Sequence, residues 1–111
     1  MNITKQTFAL AALLHPFDAD MEFIQHPIDK TVWAVKMGVP LFHIEEGLNE
    51  AELLLIIRGF GEESLSAYHR RLKRIIAKDT EGHAPDYLIH RATLPQIRRA
   101  ILQAKGLWIH E

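Results

Sequence analysis

Cysteine is absent from the 111 residues. That absence excludes disulfides, thiolate zinc sites, iron–sulfur clusters and cysteine nucleophiles, because each needs the thiol. Long apolar runs are absent too. Phe8 to Leu14 and Leu53 to Ile57 both fall far short of the ~20 residues of a membrane span. There is no glycine-rich phosphate loop, since Gly59-Phe60-Gly61 reads as a turn between two helices. Ser64 and Ser66 fall at a helix start, where serine is a better cap than nucleophile. Nothing supplies a nucleophile, a base and an orienting group together, so an enzyme is not expected. The seven histidines lack the His-x-x-x-His spacing of a helical metal site, so neither a metal nor another cofactor is expected. Lys5 precedes Phe8 to Leu14, but His15-Pro16-Phe17-Asp18 stands where a leader would place small residues for cleavage. No secretory leader is expected, and a cytoplasmic location is the default.

What is present is ordinary in amount and unusual in distribution. The hydrophobic fraction is 48% and the charged fraction 24%, values of a globular chain. With no repeat or linker-like stretch, residues 1–111 read as one domain. The net charge of −1 conceals a division. Residues 1–67 carry four cations and ten anions, a net of −6. Residues 68–111 carry nine cations and four anions, a net of +5. Such asymmetry points to a polar partner surface. The halves can meet within one fold, pair between copies, or present the basic part to phosphate.

Helix signals dominate the chain. Thr4 is an expected cap for a helix over 5–14, which Pro16 stops. Residues 21–46 are ambiguous. The segments 21–25 and 31–35 fit either short strands or helical turns, and Val39-Pro40-Leu41-Phe42-His43-Ile44 reads extended. Asn49 with Glu52 resembles a capping box opening a helix over 50–58. The apolar run in that helix predicts burial on all sides or a contact between copies, with a buried strand as the rival. Residues 62–78 give the clearest helix: Leu65, Tyr68, Leu72, Ile75 and Ile76 recur at spacings of three and four. A short helix over 84–91, a capped helix over 94–105 closed by Gly106, and a strand or docked tail at 107–110 complete the reading. The expected fold class is mainly α, with a small α+β arrangement as its variant: a compact domain of four to five helices with a minor β-hairpin or extended element near 21–46.

Two basic stretches carry the functional expectation. Arg70, Arg71, Lys73, Arg74 and Lys78 occupy the helix angles that the apolar stripe leaves free. Arginine suits phosphate and carboxylate because its planar fork donates two parallel hydrogen bonds. The second stretch runs Ile89-His90-Arg91-Ala92-Thr93-Leu94-Pro95-Gln96-Ile97-Arg98-Arg99-Ala100-Ile101-Leu102, then Lys105-Gly106-Leu107-Trp108-Ile109. It resembles the second half of bacterial winged-helix repressors over about a fifth of the chain. It departs from them in a short turn without the customary glycine and in having no residues for a second wing strand. The resemblance implies that Gln96, Arg98 and Arg99 face the major groove, where arginine reads guanine and glutamine adenine. The favoured expectation is a non-enzymatic protein-binding, assembly or regulatory module, self-association included, acting through acidic (1–67) and basic (68–111) surfaces. The competing one is a small nucleic-acid-binding regulator. No membrane partner and no small-molecule substrate are indicated.

Overall fold

The computed structural model describes residues 1–15, 20–79 and 92–109. In chain order these form α1 (Ile3–Leu14), β1 (Met21–Gln25), β2 (Val32–Lys36), β3 (Val39–Ile44), α2 (Glu50–Arg58), α3 (Glu62–Asp79) and α4 (Leu94–Ala104). The fold class is α+β: four helices among the described residues and a three-stranded antiparallel sheet. This corrects the expectation of a mainly α domain with a minor hairpin. All of the ambiguous segments of 21–46 are strands. The helix expected over 84–91, and Pro16 with it, lie outside the described residues.

Two local devices mask the sheet in the sequence. The β2–β3 connection is a two-residue turn, Met37 and Gly38, with φ of 52° and 80°. Positive φ at both positions is what a type I′ hairpin requires, and the usual sequence for it is Asn-Gly; methionine at the first position hides the signal. The register then shifts between Ala34 and Val35: Ala34 pairs with Phe42, but Val35 with Pro40. The extra residue, Leu41, breaks the inside–outside alternation that marks a strand.

The backbone divides into two compact units, Met1–Ile56 and Ile57–Glu111, with α2 running across the division. In the first unit the strand order is β1-β2-β3. Met21, Val32, Ala34 and Ile44 are buried, and α1, which lies against β1, buries Leu10 and Ala11. The helix starts two residues earlier than expected: Asn2 is the N-cap, its Oδ1 accepting from the Lys5 N–H at 2.8 Å. Thr4 lies inside α1 and donates instead to Glu46 Oε1 at 2.8 Å, and Gln25 Nε2 donates to the same oxygen at 2.8 Å. One carboxylate thus joins α1, β1 and the segment after β3. Below it, the fully buried Thr7 hydroxyl donates to the Ile3 carbonyl at 2.8 Å and accepts from the Gly47 N–H at 2.6 Å. The α2 start is the expected capping box, with Glu52 N–H to Asn49 Oδ1 at 2.9 Å and Asn49 N–H to Glu52 Oε1 at 3.2 Å. Leu53 and Ile56 of α2 are buried while Leu54 and Leu55 are exposed, so this helix is not buried on all sides.

In the second unit α3 packs on α4. The two run antiparallel, because contacts join opposite ends. Gln96, in the first turn of α4, donates to Asp79 Oδ2 at the end of α3 at 2.8 Å. Lys105, just after α4, reaches Ser64 in the first turn of α3 at 3.3 Å and lies 4.8 Å from the Phe60 ring centre. The core between them is Tyr68, Leu72, Ile75 and Ile76 from α3 with Ala100, Ile101 and Leu102 from α4; of the stripe expected for α3, Leu65 is half-buried. Burial of Tyr68 pushes its phenol pKa up, since the charged form loses water there. Residues 107–109 form no strand.

Candidate functional site

The long amphipathic α3 sets up a site simply by being regular. At 3.6 residues per turn, Ala67, Arg70, Arg71, Arg74 and Lys78 fall within about 100° of one another, beside the buried stripe. On α4, Arg99 and Gln103 are four residues apart and therefore share a face. Antiparallel packing brings the two faces to one groove.

The groove is a chain of three adjoining depressions. The first, about 180 Å³, is lined by Arg70, Arg71 and Arg74 with Gln103, over the small side chains of Ala67 and Ala104. The second, about 140 Å³, is lined by Arg74, Lys78, Asp79, Arg99 and Gln103 with Ile75. The third, about 190 Å³, is lined by Arg71, Gln103, Gly106 and Trp108. Gln103 borders all three. Arg71 and Arg74 border two each. Among the described residues no carboxylate lies within ion-pair distance of Arg70, Arg71, Arg74 or Lys78. The one acid on the rim among the described residues, Asp79, accepts the hydrogen bond from Gln96. Arg99 is held differently: its guanidinium carbon lies 5.0 Å from the centre of the Trp108 ring, a cation–π contact, and its Nε is buried without a hydrogen-bond acceptor.

The residues singled out from sequence are thus sorted by the fold. Arg70, Arg71, Arg74, Lys78 and Arg99 converge on the groove. Lys73 is exposed and borders none of the three depressions. Arg98 precedes Arg99 by one position and so points about 100° away from it. Burial of Arg98 lowers its pKa, and a guanidinium stays charged regardless. Gln96 closes the expected capping box with Thr93: Thr93 N–H donates to Gln96 Oε1 at 2.9 Å, and Gln96 N–H to Thr93 Oγ1 at 3.4 Å. With Nε2 on Asp79, both ends of its amide are engaged.

Sequence reasoning missed Gln103 and Trp108 as site residues. The i, i+4 spacing from Arg99 could have flagged Gln103. Trp108 had no local signal, because only the packing of the segment after α4 places it under Arg99. The first unit offers a different surface, an apolar depression of about 310 Å³ on the outer sheet face beside Ile24, Trp33, Val35 and Pro40. Among the described residues no three His, Asp or Glu side chains are grouped as a metal site would need. No helix among them is long and apolar enough to cross a membrane. No protein-family model matches the chain, and no curated protein or solved structure matches it. The chemistry of the groove therefore carries the functional argument.

Proposed function

We propose that this chain is a non-enzymatic protein-binding and assembly module, acting in the cytoplasm, which takes an acidic segment of a partner protein in the α3–α4 groove. The observation that carries this reading is the convergence of Arg70, Arg71, Arg74, Lys78 and Arg99 without opposing carboxylates among the described residues. Unpaired like charges repel one another, and an incoming anion relieves that repulsion as it binds.

The length of the strip favours a short segment over a duplex. Arg70 and Lys78 are about 12 Å apart along the helix axis, at 1.5 Å per residue. Glu62 and Glu63 lie at the start of α3 and Asp79 at its end, so carboxylates bound the strip at both ends. Specific DNA interfaces bury roughly 1,000–2,500 Å² of protein surface, more than a strip of that length offers. The charge division supports the assembly side of the reading. The unit 1–56 carries three cations and eight anions, a net of −5, and the unit 57–111 carries ten and six, a net of +4. Charges of this kind set specificity and encounter rate, while apolar anchors supply affinity. Exposed Leu107 and Ile109, on either side of Trp108 in the chain, are such anchors.

The test is binding of a fluorescently labelled Asp/Glu-rich peptide and of a random DNA duplex, followed by anisotropy at low and moderate salt. The acidic peptide should bind, weaken as salt rises, and fail to bind Arg71→Glu/Arg74→Glu while the helical circular dichroism is unchanged. Binding of the duplex alone, with a steep salt dependence, would reverse the reading in favour of a nucleic-acid-binding regulator.

A further inference from the structure

We infer that the groove is built for a phosphorylated side chain on the docked segment rather than for carboxylates alone. The inference rests on the protein-binding reading and adds the chemical class of the ligand. Its first ground is charge density. Five cations border three contiguous depressions, and among the described residues Asp79 is the sole acid bordering them. A carboxylate offsets one of these charges. A phosphate monoester carries about −1.5 to −2 at neutral pH and three strong acceptor oxygens, so it can satisfy several cations from one point.

The second ground is the choice of cation. Four of the five are arginines, whose rigid forks donate paired hydrogen bonds to phosphate, where lysine acts as a point charge. Arg71 and Arg74 each border two depressions, so an oxyanion between them is within reach of both forks. The third ground is Gln103. It stands at the junction of all three depressions, and its side-chain amide has no hydrogen-bond partner among the described residues. Its amide N–H donors add hydrogen bonds without adding further repulsion among the cations. Arg99 is already restrained against Trp108, which reduces the ordering that binding must impose. Arginine clusters of this kind are the general chemical solution for reading a phosphorylated motif.

The experiment compares three labelled peptides of one acidic sequence, bearing serine, glutamate or phosphoserine at the central position, against the full chain by anisotropy at fixed salt. A single-stranded oligonucleotide of similar charge is the fourth probe. The phosphoserine peptide should bind about tenfold tighter than the serine peptide, the effect of roughly 1.4 kcal/mol expected when charge-assisted forks replace solvent contacts. Arg71→Lys keeps the charge and removes the fork. It should weaken the phosphoserine peptide more than the serine peptide and so erase most of that preference. Gln103→Glu, which sets a carboxylate at the junction, should weaken the phosphoserine peptide most. Equal affinity for the three peptides would overturn the phosphate inference and leave acidic-segment docking standing. Failure of all three peptides would overturn both. Tighter binding of the oligonucleotide than of any peptide would replace both with nucleic-acid binding.

Discussion

The buried polar residue of the first unit, Thr7, has both of its hydrogen-bonding roles filled: it donates to Ile3 and accepts from Gly47. Threonine is nearly isosteric with valine, so Thr7→Val keeps the volume and strands the Gly47 N–H. A buried donor without an acceptor costs about 1–3 kcal/mol, and chemical denaturation of the variant should show a loss in that range. Thr7→Ser, which keeps the oxygen, should lose less. Nothing in the local sequence of α1 announces this role, because the partner is 40 positions away. Asp29 behaves differently, being exposed. Its Oδ1 accepts from the Thr31 hydroxyl at 2.6 Å and the Thr31 N–H at 3.0 Å, and these bonds hold its pKa below the ordinary carboxylate value. A depressed folded pKa stabilises above the unfolded value, and the contribution is lost as pH falls through the folded one. An NMR titration should place the Asp29 midpoint below that of an unstructured aspartate. Thr31→Val, which removes the larger of the two hydrogen bonds, should move it upward.

Among the elements, α3 carries the conflict between stability and binding most plainly. Arg70 and Arg74, and Arg74 and Lys78, are like charges at i, i+4, and Arg71 and Arg74 are like charges at i, i+3. Each such pair destabilises a helix by about 0.2–0.5 kcal/mol. Arg74 takes part in all three, so Arg74→Gln should raise the thermal midpoint slightly while weakening acidic-peptide binding. A variant that binds as well as the parent would remove Arg74 from the site. Local signals read this helix correctly, since its apolar stripe repeats within 18 residues, and they read the capping boxes at Asn49 and Thr93 for the same reason. The same signals misplaced the α1 cap by choosing Thr4 over Asn2. Both residues can accept from a backbone N–H; Asn2 does so, while Thr4 donates to Glu46. The sheet carries the weakest local signal, because Met37 occupies a position with φ of 52° that asparagine or glycine usually fills.

For the whole molecule, charge is the quantity that the sequence states most reliably. The net charge is −1 at neutral pH. Solubility should be lowest near the sequence pI of 6.7 and recover on either side, as turbidity against pH would show. Near neutral pH, raising salt should reduce any self-association, since the two units carry opposite net charge and exposed charges are screened beyond about 8–10 Å. By itself the sequence determined the composition, the charge division, the absence of thiol chemistry, and those helices whose period and caps lie within one stretch of chain. These properties are local or additive. The tertiary structure alone decided the three-stranded sheet with its bulge, the join that Glu46 makes between distant segments, and which arginines act together. Arg98 and Arg99 are neighbours in sequence, yet only Arg99 borders the groove, because a helix turns about 100° per residue. Arg71 and Gln103 are 32 positions apart and border the same depressions, because antiparallel packing sets the two helix faces side by side.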